Sequence, residues 1–382
     1  MNDIETIFID GSMGEGGGQI LRTSLALSCI TGKRLHIENI RSARRNPGLA
    51  KQHLSCVQAA CQICNGKSHG AAQGSKVLDF QARPVHSGDF RLDIGSAGSA
   101  SLVIQTLLPA LFLANKPSTV TVTGGTHNPL APPFDFLSET FLPAIKTAGF
   151  QGDCKLLRHG FFPAGGGKIT LRVQPRQKKS PVPAPPPFLL SQESTGVQAN
   201  QTINLCDSGQ EFRINARIYT AKLPTHIAHR QQKLLLQSGL NIQNIEHTEV
   251  RDSQGPGNAV CIRLLVGVEP AAARCCDKRT TVFTAFGMRG KPSEQVISEV
   301  VDLAKHFIDS GAAVDHFLAD QTLLYMATAN GGCFTTDRIS EHTKTNIEVI
   351  KKFLPVDFII ERQGDCFRVS CQPGSTGKQE RK

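Results

Sequence analysis

Residues 5–40 read ETIFIDGSMGEGGGQILRTSLALSCITGKRLHIENI, and the fold turns on how this stretch divides. Residues 5–9 alternate polar and apolar, as a half-buried strand does. A glycine-rich turn follows, then apolar residues at helical spacing over about 17–31, then a second alternating run at 34–40. Working outward, a basic loop leads to a helix at about 47–64 and to short strands near 68–72 and 76–82. The order is βαβαββ.

That order returns twice. The second unit has a strand at 90–94, the turn GSAGS (95–99), a helix at 99–114, a strand at 119–123, the loop GGTHNPLAPP (124–133), a helix at 134–148, and strands near 154–158 and 168–173. Past position 280 come a strand at 281–286, a helix at 293–310, an extra helix at 314–329, a strand at 332–336, a helix at 342–353, and strands at 356–361 and 366–371. Between the second and third units, QPRQKKSPVPAPPPF (174–188) is too rich in proline for regular structure and reads as a linker. Residues of about 189–279 read as an insert of strand (211–220), helix (225–238) and strands (241–249, 258–266). The expected class is α/β in the α+β sense: three βαβαββ repeats forming a large domain, with a smaller α/β domain inserted before the third repeat. The expected division is 1–185, 186–279 and 280–375, with a disordered tail at 376–382.

Composition narrows the function classes. The chain has 382 residues, enough for two or three folding units, and its 40% hydrophobic content excludes general disorder. The formal net charge of +10 favours a polyanionic partner, although many ordinary soluble proteins are as basic. There is no Trp and there are two Tyr, so stacking on nucleobases would fall to Phe, His or Arg. The twelve Cys lack the spacing of a secreted disulfide framework, and Cys61 and Cys64 have no second pair at zinc spacing. A reducing compartment fits best, for the vicinal Cys275 and Cys276 as well. The acidic start suits no signal peptide, and the longest apolar run, 102–114, is too short to cross a bilayer, so a cytoplasmic protein without a membrane partner is expected.

Three loops, each from a second strand to a second helix, hold the unusual residues and would line one pocket if the units are alike. They are IRSARRNPG (40–48) followed by Lys51, Gln52 and His53; GGTHNPLAPP; and TTDRISEHTKTN (335–346), in which His342 opens a helix. GEGGGQILR (14–22) sets Glu15 among four glycines just ahead of a helix carrying Arg22, where amides at a helix N-terminus favour an anion. An ordinary tight turn is the competing reading. GGGKIT (165–170) is no phosphate loop, because Ile follows the Lys where Ser or Thr would bind magnesium. Arg41, Arg44 and Arg45 repel one another unless phosphates or carboxylates neutralise them. His342 and His53 both open helices, where the dipole keeps an imidazole neutral and nucleophilic, and spacing does not choose between them. In the insert, Arg213, Arg217, Lys222, His226, His229, Arg230 and Lys233 give a basic face, for which solvated charge is preferred over an RNA contact.

These stretches, with RHGFFPAGGG (158–167), DSQGPGN (252–258), FLADQ (317–321) and HTKTNIEVIKKFLP (342–355), together resemble the RNA 3'-terminal phosphate cyclases, in order and over nearly the whole chain. The resemblance implies a ligase of RNA processing that works by nucleotidyl transfer. It would use ATP as co-substrate to convert an RNA 3'-terminal phosphate to a 2',3'-cyclic phosphodiester through a covalent histidinyl adenylate and an RNA-adenylate. His342 would be the nucleophile, and Arg22, Arg41 and Arg44 would hold phosphates, helped by Gln52 and His53. Glu15 would orient His342 or hold a divalent cation, Mg or Mn. Gln105, Pro132, Phe317, Leu318, Ala319, Asp320 and Gln321 would form the nucleotide pocket, with Phe283 stacking on adenine. The family often has Tyr where FLADQ begins; Phe317 keeps a stacking face without the hydroxyl. The alternative is a non-catalytic cyclase-like protein of ribosome assembly, against which retention of His342, Glu15 and the arginines argues. Enolpyruvyl-type transferases also use such repeats, but their motif order differs. The oligomeric state stays open.

Overall fold

In the first unit β1 (Thr6–Asp10) and β2 (Arg34–Glu38) lie parallel, because α1 (Gly18–Thr31) carries the chain back across one face of the sheet. Gly32, at φ 72°, ends that helix in the left-handed conformation. The computed structural model describes residues 4–176, 202–207, 212–266 and 279–374. After α2 (Lys51–Cys64) come β3 (Lys67–His69) and β4 (Leu78–Gln81), giving the sheet order β1-β2-β4-β3.

The second unit has the same arrangement. It runs β5 (Asp89–Asp93), α3 (Ala100–Leu111), β6 (Ser118–Gly124), a π-helical turn (Phe136–Phe141) leading into α4 (Leu142–Lys146), β7 (Gly152–Arg158) and β8 (Gly167–Val173). Its sheet order is β5-β6-β8-β7.

Next come β9 (Ile203–Leu205), β10 (Phe212–Ala221), α5 (Thr225–Leu236), β11 (Ile242–Glu249), β12 (Gly257–Val266), β13 (Arg279–Phe286) and α6 (Ser293–Ser310). The chain finishes with α7 (His316–Thr328), β14 (Gly332–Thr336), α8 (Glu341–Phe353), β15 (Val356–Gln363) and β16 (Cys366–Pro373). One sheet has the order β11-β10-β12-β13 and the other β15-β16-β14-β9.

Here the strand assignment needs correction. The strand expected at 281–286 to open the third unit is β13, which pairs antiparallel with β12 and closes the insert's sheet, with α6 packed beside it. The edge strand of the third sheet is instead β9, parallel to β14 and reached before the insert begins. Three residues isolated by a proline-rich stretch gave too short an alternation to read. Residues 177–188 of that stretch, Cys275 and Cys276, and the tail 376–382 lie outside the described residues. The stretch is anchored at its start, where Arg176 donates to the Thr328 carbonyl at 3.0 Å and lies over the Phe150 ring.

The three like-ordered sheets share one core with the helices between them, including Leu25, Leu27, Val57, Leu108, Leu323 and Ile350. Each such leucine contributes about 1.5–3 kcal/mol by its burial. The insert has its own core around Ile218, Val260, Phe283, Val300 and Phe307. No helix among the described residues is long and apolar enough to cross a membrane.

Candidate active site

The glycine turn between β1 and α1 is pressed against the start of α8. Gly14 has φ +51°, and a Cβ there would lie 2.1 Å from Thr345 Oγ1 on α8. That approach brings Glu15 to His342: Glu15 Oε2 lies 2.7 Å from His342 Nδ1 as an ion-pair contact, and Glu15 Oε1 accepts from Arg44 Nη2. A carboxylate at that distance favours the tautomer protonated at Nδ1, which leaves the lone pair on His342 Nε2. Burial pulls the His342 pKa below its ordinary 6.5; Glu15 opposes this, while Arg22, Arg44 and His316 add to it. The ring is therefore neutral at pH 7.

His53 is arranged differently. It lies in the first turn of α2, buried, and its Nδ1 accepts the Ala50 amide at 3.1 Å. Its Nε2 then carries the proton and faces the glycine turn, where a Cβ on Gly18 would come within 2.2 Å. Burial, helped by Arg22 and Arg41, pushes its pKa down to about 3. This imidazole has no free lone pair to attack with, but it has an N–H to give to an anion.

Arg22, on the first turns of α1, approaches the same point: its Nη1 is 3.0 Å from that Gly18 position. No hydrogen-bond partner for its guanidinium exists among the described residues. Burial lowers its pKa against the pull of Cys56 and Glu15. Arg41 has φ +53° and donates to the Gly48 carbonyl at 2.8 Å, which closes the basic loop on itself ahead of α2. Gln52 accepts the Ser99 amide at 3.0 Å, so the GSAGS turn of the second unit is fastened to the helix bearing His53. Glu15, Arg22, Arg44, His53 and His342 thus converge on one glycine turn, and Arg41 and Gln52 shape its surroundings.

The nucleotide candidates differ in what they face. Gln105 Nε2 donates to Gln321 Oε1, joining α3 to α7, and Phe317, one turn before Gln321, is 43% exposed. These three form an accessible surface. Leu318 and Ala319 point into the core, and the Asp320 carboxylate accepts from the hydroxyls of Ser340, at 2.7 Å, and Thr343. Asp320 therefore organises the start of the His342 helix rather than facing an open pocket. Pro132 is half-buried on the loop after β6. Phe283 corrects its assignment as an adenine-stacking ring: it is 2% exposed in the insert core, against Phe307 at 5.6 Å between centroids.

Glu15 is the residue expected to orient His342 or hold a divalent cation. Both its oxygens are engaged, and no group of three His, Cys, Asp or Glu side chains able to hold a metal exists among the described residues.

Sequence reasoning missed the support behind His342. Ser340 caps α8 by accepting the Thr343 amide at 2.9 Å, and Thr23 on α1 donates to Asn346 on α8 at 2.7 Å. Asp337 accepts from His316 Nδ1 at 3.0 Å, and Arg338 donates to His316 Nε2 at 3.1 Å, with the His316 ring against Phe317. The Ser-x-x-Thr spacing at 340–343 signalled the cap; nothing in the sequence signalled the long-range pairs.

The family model described as RNA 3'-terminal phosphate cyclase matches residues 13–360. A protein of that name from Koribacter versatilis is 44% identical over 372 residues, 96% of this chain and 95% of its own length. Similar proteins of the same name come from Pseudomonas fluorescens, 41% identical over 92% of this chain and 93% of its own, and Ralstonia nicotianae, 40% identical over 96% of each.

Proposed function

Because the chain belongs to the RNA 3'-terminal phosphate cyclase family, we propose that it closes 2',3'-cyclic ends on RNA through an adenylate carried on His342. The reaction rests on three bond exchanges. His342 Nε2 attacks the α-phosphorus of ATP, the bond to the β-phosphate oxygen breaks, and pyrophosphate leaves. An oxygen of the RNA 3'-phosphate then attacks that phosphorus, the P–N bond breaks, and the pair returns to Nε2. Lastly the adjacent 2'-hydroxyl attacks the activated 3'-phosphorus, loses its proton, and expels AMP. A phosphate dianion has a poor leaving group, and transfer to AMP supplies a good one. The ring closure is intramolecular, where effective molarities reach on the order of 10⁵ M.

Each residue has a physical part. Glu15 holds Nδ1–H and stabilises the positive charge that grows on the ring as Nε2 attacks. Arg22 and Arg44 offset charge at the transferring phosphate, and His53 gives a neutral N–H to a phosphate oxygen while Arg41 adds charge near it. Phe317, Gln321 and Gln105 take the adenine. A cytoplasmic setting with RNA and ATP as partners fits this chemistry.

The observation that carries the reading is the His342–Glu15 contact of 2.7 Å against the glycine turn. Incubation with ATP labelled at the α-phosphate is expected to leave acid-labile label on the wild-type protein and none on His342→Ala. Wild-type protein that takes no label while binding RNA would favour the non-catalytic alternative.

A further inference from the structure

RHGFFPAGGG and DSQGPGN have no part in the adenylation centre, yet they face each other across the seam between the second unit and the insert. Gly255 abuts Ala164, and Gly166 abuts Gln254. Beside them opens a cleft of about 820 Å³, walled by Phe161 and Phe162 on one side and by α5 and the 286–293 loop on the other. Its size is that of a nucleotide site.

The walls have the character of a single-strand binder. The Phe162 ring is 56% exposed and Met288 53% exposed, a cost in water that an aromatic or flat apolar partner would remove. Arg289, exposed at the same mouth, has no partner among the described residues, and His226 is exposed nearby. Arg230 and Lys291, by contrast, are paired with Glu294 and Glu299. An apolar ring facing a free cation across the cleft matches a base and its phosphate.

The cleft is also joined to the adenylation centre. Its Phe162 wall continues into Gly165, where a Cβ would lie 2.7 Å from Ala97 Cα in the GSAGS turn. Asn128 donates to the Ala97 carbonyl, and Ser99 of that turn donates to Gln52 beside His53. One turn thus links the segment after Phe162 to the helix bearing His53.

We infer that this cleft holds a nucleotide of single-stranded RNA on the 5' side of the reacting end, its base on Phe162 and its phosphate near Arg289. The inference rests on the proposed reaction for its direction along the strand. It is tested by fluorescence anisotropy with single strands of about two to about ten nucleotides ending in a 3'-phosphate. Wild-type affinity is expected to step up with length. Phe162→Ala and Arg289→Glu should each weaken the long strand about tenfold and leave the dinucleotide unchanged, while Phe162→Tyr restores the step. Thermal unfolding reports that the variants are folded. Three results overturn the inference: no length step in the wild type, variants that keep it, or a step abolished by competing ATP. Label on His342 and cyclic ends are scored separately, so failure of the reaction with a variant-sensitive step sinks the proposed function and leaves the cleft standing.

Discussion

At the scale of single residues, two imidazoles near one turn are given opposite duties by which ring nitrogen is engaged. A carboxylate, Glu15, lies against His342 Nδ1, whereas the Ala50 amide donates to His53 Nδ1. The acid limb of adenylation follows from the lowered His342 pKa. Protonation fills the attacking lone pair, so labelling should stay level as pH falls to the ordinary 6.5 and decline only below it. Glu15→Gln removes the group that raises this pKa. Labelling is expected to drop about a hundredfold, and the acid limb should move to lower pH, a shift that a purely structural role would not produce. His53, with its pKa pushed to about 3, stays neutral through that range. His53→Ala should therefore raise KM for RNA about tenfold without moving the limb, as pH profiles of ATP labelling and RNA binding would reveal.

At the scale of elements, the start of α8 is built before it reacts. Ser340 caps the helix, and Asp320 accepts from both Ser340 and Thr343. Ser340→Ala should cost about 1 kcal/mol in denaturant unfolding. Asp320→Ala leaves two hydroxyls without their acceptor and should cost about 1–3 kcal/mol while slowing labelling; Asp320→Asn keeps an acceptor and should restore most of the rate. Burial raises the Asp320 pKa to about 6, against the lowering effect of those hydroxyls. The folded chain then holds this proton longer than the unfolded chain, whose carboxyl titrates near 3.8. Its contribution is full below that value and is lost as pH rises through about 6. Asp320→Asn should flatten stability against pH across that window.

At the scale of the whole molecule, the insert is fastened to the second unit by a buried polar knot. Asp135 accepts from His127 Nε2 at 2.9 Å and from Tyr219 at 2.7 Å, with Arg217 at 3.2 Å. Burial alone would raise the Asp135 pKa, but these donors outweigh it and hold the carboxyl well below the usual range. The stability it gives is present above about pH 4 and lost only in stronger acid. Tyr219→Phe should cost about 1–2 kcal/mol, and Asp135→Ala about 3–5 kcal/mol by stranding charged partners, both measurable by denaturant unfolding. The cleft is a product of the same seam, which no local pattern announces. What the chain's order of residues determined by itself was local: strands and helices at their 2.0 and 3.6 periods, the glycine turn, and the set of loops rich in arginine and histidine. Those depend on neighbours a few positions apart. Tertiary structure alone decided which sheet β13 joins, that β9 edges the third sheet, that Phe283 is core, and that Asp320 turns toward Ser340. It also decided which nitrogen of each histidine is free. These outcomes rest on contacts between residues tens to hundreds of positions apart, such as Thr23 with Asn346, where burial and hydrogen-bond geometry, rather than local preference, choose among patterns that read alike in the sequence.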